Sequence, residues 1–154
     1  MSRKVEISVV IRARNEDRWI GHTIQSVLDF IYKPEIIITP LKKIKLEDGD
    51  VMHALKASEN EFNGFEEAYF STIKQNKIKA WKRHLRMTMN LIVPFGEVQF
   101  NFFDSKNKFI KSLIIGEKNY SRITVPPMIW FGFKGLSPQT SYILNISDKL
   151  HDPK

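Results

Sequence analysis

Six cations, Lys74, Lys77, Lys79, Lys82, Arg83 and Arg86, fall within thirteen residues with no acid among them. Lysine and arginine at that density favour anionic partners: phosphates, a nucleic-acid backbone or acidic lipid. Trp81 lies inside the run, and Trp130 and Phe131 follow later; such rings can stack on a base or on the face of a sugar. Lys82 could also take a proton, provided that its pKa falls by some ~3 units from the ordinary value near 10.4. Arg83, His84 and Arg86 push in that direction. His84 reads equally as a polar pocket residue or as an ordinary strand histidine, whereas His22 and His151 read as surface residues.

The whole chain shares this bias. It has 154 residues, 24 Lys and Arg against 17 Asp and Glu, a net charge of +7 and no cysteine. The missing cysteine excludes disulfide scaffolds, thiolate zinc sites and a thiol nucleophile. An apolar fraction of 42% and a charged fraction of 27% are those of a globular chain long enough to bury a core. Apolar runs such as Leu91-Ile92-Val93 are far short of the ~20 residues of a spanning helix, so no membrane partner is expected. Arg12, Arg14, Glu16 and Asp17 interrupt what would be the core of a secretory signal, and a cytoplasmic location is expected.

The elements that must position these residues fall into two unlike pieces. Residues 1–39 have a β-α-β rhythm. Val5 to Ile11 read as a strand, Asn15 caps a helix carrying Ile20, Ile24, Val27, Leu28 and Ile31 at helical spacing, and Glu35 to Thr39 read as a second strand of a parallel crossover. From Pro40 onward, strand-like runs alternate with turn signals: Glu67–Ile73, Met89–Val93, Glu97–Phe103, Lys111–Ile115, Ser121–Val125 and Tyr142–Ile146. Such spacing predicts an antiparallel sandwich or barrel over 40–154.

The opening ISVVIRARNEDRWIGHTIQSVLDF, with Asn15-Glu16 after the strand and Ile20, Ile24, Ser26, Val27 and Leu28 on the helix, resembles the start of a family 2 glycosyltransferase. Thr39-Pro40-Leu41 stands where that family continues into Val-Asp, and its Asp-x-Asp metal motif is missing. Glycosyltransferase activity is therefore not expected of the segment.

From about Leu41 to Pro153 the chain resembles sugar-nucleotide cupins, namely the dTDP-4-dehydrorhamnose 3,5-epimerases and their ketoisomerase-like relatives. The strings that carry the likeness are GFEEAYFSTI, KIKAWKRH, VPFGEVQF, NYSRITVPPMIWFGF and ILNISDKLHDP. The resemblance implies a mainly β fold, a jelly-roll (cupin) barrel preceded by the β-α-β appendage, and often a homodimer. It implies a dTDP-linked nucleotide sugar as partner. Lys82 falls on the family's base histidine, Met89 on its enolate-holding lysine, and Leu144 near its acid tyrosine, for which Tyr142 is the nearest substitute. Catalytic candidates are thus Lys82, His84 and Tyr142. Lys79 falls on the residue facing the diphosphate, and substrate contacts are expected of Lys79, Arg83, His53, Trp130, Phe131 and Asn145. Asp148 matches a position that shapes the cavity end, or else caps a turn. The metal-cupin ligands fall on Lys82, His84, Met89 and Phe131, so neither a metal nor another cofactor is expected.

Three functions follow. The first is an epimerase- or isomerase-like cupin of surface polysaccharide synthesis, with base, enolate-holding and acid residues substituted. The second is a non-catalytic module that binds a nucleotide sugar or supports a pathway partner. The third, nucleic-acid binding through the basic run, has no motif behind it.

Overall fold

The computed structural model describes residues 34–151. The first strand and helix of the expected β-α-β unit, His22 and the glycosyltransferase-like opening lie outside the described residues.

Eleven strands follow in order: β1 (Ile37–Pro40), β2 (Lys43–Ile44), β3 (Val51–Met52), β4 (Glu67–Ile73), β5 (Ile78–Arg83), β6 (Met89–Phe95), β7 (Glu97–Phe103), β8 (Phe109–Gly116), β9 (Ser121–Val125), β10 (Trp130–Gly135) and β11 (Ser141–Ser147). Among the described residues no helix is long and apolar enough to cross a membrane. Five strands form one sheet in the order β1-β9-β6-β11-β4, and four form a second in the order β5-β10-β7-β8. Within these two sheets every strand pair is antiparallel. This is the jelly-roll barrel expected of the sequence.

The two sheets close on one apolar core because their strands alternate. In β7, Val98, Phe100 and Phe102 are fully buried while Glu97, Gln99, Asn101 and Phe103 keep solvent contact, as period-two geometry requires of a half-buried strand. Phe131 and Phe133 of β10 join them from the same sheet. Leu91, Ile123 and Ile143 meet them from the other. Each such side chain contributes about 1.5–3 kcal/mol when fully buried. The β6–β7 turn carries Gly96 at φ +83°, where a Cβ would lie 2.3 Å from Ser141 Oγ, so only glycine fits.

Strand β1 corresponds to the second strand expected of the crossover. It pairs antiparallel with β9, from Ile37 opposite Thr124 to Pro40 opposite Ser121. The boundary read between residues 39 and 40 therefore falls inside a strand of the barrel sheet. Ile36, just before it, is buried in the core.

The outer face of the five-stranded sheet is also covered, around one arginine. Arg122 alternates with the core residue Ile123, so it points away from the core, yet it is 0% exposed. Its Nη1 donates to Glu59 and, at 3.1 Å, to the Ala54 carbonyl. Its Nη2 reaches Glu61 and the Thr39 hydroxyl, each at 3.4 Å. A buried guanidinium is tolerable only when paired in this way. Residues 54–61 are thereby fastened over β9. Replacing the guanidinium by an apolar side chain leaves the half-buried Glu59 and Glu61 carboxylates without their cation. Arg122→Met should lower stability by about 3 kcal/mol in a denaturant titration. Hydrogen exchange should quicken at residues 53–62 first, and unchanged protection there would refute the anchoring role.

Candidate functional site

The basic run enters the fold as β5, an edge strand of the four-stranded sheet. Its pairing with β10 is irregular. Lys82 stands opposite Phe131 and Lys79 opposite Phe133, so three steps on β5 match two on β10. The extra residue is a β-bulge, with Ala80 and Trp81 together facing Gly132. Residues directly opposite share a sheet face. Phe131 and Phe133 face the core, so Lys79 and Lys82 share that side of the edge strand although they are three apart, and both remain exposed. The Lys82 ammonium lies 6.0 Å from the Phe133 ring centroid.

The alternation sends the neighbours outward. Arg83 stacks over Trp130 at 4.7 Å, and Trp81 meets Phe103 edge-on at 5.0 Å. Trp130, Arg83 and Trp81 therefore occupy the outer face, where Trp81, Trp130, Phe103 and Asn107 line an apolar hollow of about 390 Å³. Phe131 is core, 2% exposed, and forms floor rather than a stacking platform.

The inner lysines differ in state. Lys79 Nζ donates to the Thr72 carbonyl at 2.8 Å, tying β5 to β4, the edge of the opposite sheet. Lys82 lies below the ordinary lysine range, first through loss of solvent around its ammonium and then through the charge of Lys79.

At the end of β5, the His84 carbonyl accepts from Met128 N at 2.8 Å, which pins that corner. The His84 ring lies 6.3 Å from both Phe131 and His151. Burial, His151 and Lys82, in that order, hold its pKa below the ordinary value, so it is a neutral imidazole near pH 7. His151 is brought there by a short strap. Glu66 accepts from Leu150 N at 2.8 Å and from Lys149 Nζ at 3.3 Å, and Glu67 accepts from His151 N at 2.9 Å. The backbone bond to Leu150 and then the bond to Lys149 hold the Glu66 carboxyl below its usual range. Between the strap and the end of β5 lies a cavity of about 500 Å³. Asp148 accepts from Thr88 N at 2.8 Å, the capping alternative of its two expected roles.

The other expected residues scatter. Asn145 points inward and donates to the Tyr69 and Ile143 carbonyls and to Ser71 Oγ, so it braces β4 against β11. Tyr142 alternates with Ile143 onto the outer face, 44% exposed, with its ring 6.1 Å from that of Phe95. His53 lies on the segment laid over β9, its carbonyl bound by the Tyr120 hydroxyl at 3.0 Å. Neither joins Lys82 and His84. A tyrosine does hold the inner place: Tyr69 of β4 packs against the core, and burial and then the charge of Glu67 raise its pKa, so it keeps its proton. The alternation of Glu67–Ile73 was the signal for it. Among the described residues no group of three or more His, Cys, Asp or Glu could hold a metal ion.

No family model matches the chain. A probable low-salt glycan biosynthesis epimerase of Haloferax volcanii is 27% identical over 93 residues, covering 56% of this chain and 60% of that protein. The match thus spans less than two thirds of that relative. A crystal structure of a dTDP-sugar isomerase from Desulfovibrio desulfuricans is 29% identical with a TM-score of 0.72, over 77% of this chain and 79% of that one. A dTDP-6-deoxy-D-glucose-3,5-epimerase from Legionella pneumophila, in complex with dTDP-4-keto-L-rhamnose, has a TM-score of 0.67 at 18% identity, over 77% and 69% of the chains. A sugar 3,4-ketoisomerase from Thermoanaerobacterium thermosaccharolyticum, in complex with TDP, has 0.65 at 14%, over 76% and 82%. The last two likenesses are of fold alone. The described residues therefore form a jelly-roll of the kind built by dTDP-sugar isomerases and epimerases.

Two substitutions test the bulged edge. Lys79→Met removes the charge that disfavours the Lys82 ammonium, so the Lys82 pKa should rise in a lysine-selective NMR titration; no movement would uncouple the pair. Gly132→Ala would set a methyl 2.7 Å from Ala80 Cβ. It should cost about 1–3 kcal/mol in thermal or chemical unfolding and return Lys82 toward the ordinary range. An unperturbed Lys82 in this variant would mean that the register does not depend on the glycine.

Proposed function

We propose that the chain is a sugar-nucleotide-binding cupin of glycan biosynthesis, acting as an epimerase or isomerase with a rebuilt proton-transfer set. The observation that carries this reading is the bulge that turns Lys79 and Lys82 together onto the inner side. The likeness to a dTDP-sugar isomerase at 29% identity supports it. The substrate class is a dTDP-4-keto-6-deoxyhexose. Its C–H bonds beside the ketone are acidic, so epimerisation needs a base, a cation for the enolate and an acid on the other side.

In this reading Lys82, whose ammonium is disfavoured by loss of solvent and by Lys79, takes the proton through its free-amine form. Lys79, still charged, supplies the positive field for the enolate with the N–H groups left free by Thr72. Tyr69, protonated and on the facing edge, returns a proton. The Lys79–Thr72 tie supports this pairing, because it joins β5 to β4, the strand that carries Tyr69. His84 closes the end of the site as a neutral hydrogen-bonding group.

Binding without catalysis is the second reading. It is favoured by Met89, 1% exposed in the core at the position where the resemblance calls for a lysine.

Incubation with dTDP-4-keto-6-deoxyglucose in deuterated water separates the two. Deuterium should enter the sugar beside the ketone, and Lys82→Met should slow this by about 10²–10⁴-fold with dTDP affinity retained in calorimetry. Binding without exchange selects the second reading, and neither binding nor exchange rejects both.

A further inference from the structure

The inner lysines occupy one stretch of β5, and the cavity of about 500 Å³ lies past its end. That volume is within the roughly 300–1,000 Å³ range of small-molecule sites. Three cations line it, Arg83, Arg86 and Lys149, against one carboxylate, Glu66. Glu66 is already engaged by Lys149 Nζ and Leu150 N. The two guanidinium groups have no ion-pair partner among the described residues. Arg83 is held by its face on Trp130, which leaves its N–H edges free to donate. Arg86 is exposed. Arg83 and Arg86 thus line a hollow whose remaining wall includes Leu85, Met87 and Leu150. Arginine pairs fit phosphate oxygens in bidentate fashion.

Lys79 is a poorer phosphate ligand on two grounds. One of its N–H groups is taken by the Thr72 carbonyl, and roughly 10 Å of strand separates it from Arg83.

We propose that the diphosphate of the nucleotide sugar is seated in this cavity by Arg83 and Arg86, not by Lys79, with the strap Lys149–His151 as its outer wall. The identity of the ligand rests on the function proposed above; the seat itself rests on the charges and the cavity. A diphosphate bridge with one negative charge on each phosphorus matches the excess of two cations. The nucleoside then lies toward the apolar wall, and the sugar points past His84 to Lys82. The tail of the barrel, which reads from sequence as surface, becomes part of the site.

Calorimetry with dTDP and, separately, inorganic pyrophosphate on the full chain tests this. Arg86→Ala should weaken dTDP about tenfold or more, and Arg86→Glu further, while Lys79→Met changes it little. Arg86 is exposed and unpaired, so both variants should fold, and their unfolding midpoints verify it. If Arg86→Glu binds dTDP as the unaltered chain does, the seat is wrong, and loss on Lys79→Met alone would return the diphosphate to the inner lysines. If the unaltered chain ignores dTDP, the proposed function fails and pyrophosphate decides for the seat. Arg86-dependent pyrophosphate binding upholds it, and no binding overturns it as well.

Discussion

Position 132 has no room for a Cβ. One built there would lie 2.7 Å from Ala80 Cβ and within 3.3 Å of the Trp81 ring, groups that cannot swing away. A glycine in β10 lets β5 press close with one residue too many, and the site follows from that extra residue. In a regular strand two residues three apart face opposite ways. With the bulge, Lys79 and Lys82 share the inner side. Trp81 turns out to meet Phe103, and Arg83 comes to lie on Trp130. One missing methyl group thus sorts a run of cations into a pair on the inner side, Lys79 and Lys82, and outer residues that include Arg83.

The interior behind that edge is filled. Val98, Phe100, Phe102 and Phe131 are all at or below 2% exposure. The hollows lie at the margins of this packed core, one beside Trp81 and Trp130 and one where the strap returns past the end of β5. This arrangement separates stability from chemistry. The phenylalanine core and the Arg122 clasp hold the barrel, while β5 contributes an exposed strand with few buried atoms and is held by Thr72, Met128 and Gly132. Such an edge can change its side chains without disturbing the core. This is consistent with a lysine standing where the related cupins are expected to carry a histidine.

The barrel was legible because most of its strands announce themselves. β4, β7 and β9 have the limits that their alternation predicts, β6 and β11 extend them by two residues, and β8 by three. β5 and β10 were not among the strand runs read from the turn spacing. Ile-Lys-Ala-Trp-Lys-Arg has neither β-branched density nor alternation, and Trp-Phe-Gly-Phe-Lys-Gly carries two glycines that argue against a strand. The bulge between them is a property of the pair, so neither strand alone reveals it. The inner placement of both lysines was reachable only through the family resemblance. Tyr142 was favoured as the tyrosine nearest to Leu144, but strict alternation in β11 assigns it the face opposite Asn145, while the same rule gives Tyr69 the inner one. Arg122 reads as one polar residue in a strand; its partners lie more than sixty positions away.

The local positive field of the basic run has a structural cause beyond the net charge of +7. Several of the acids near the barrel's turns are engaged by backbone amides instead of cations: Asp104 by Lys106 N and Lys108 N, Glu117 by Gly96 N, Asp148 by Thr88 N, and Glu67 by His151 N. An amide donor satisfies a carboxylate without neutralising a lysine or an arginine. The acids therefore fix turns and the strap, and the cations of the basic run remain uncompensated. A chain that paired Glu66 and Glu67 with Arg83 and Arg86 would be no less basic in composition. It would have lost the local positive field that an anionic ligand needs.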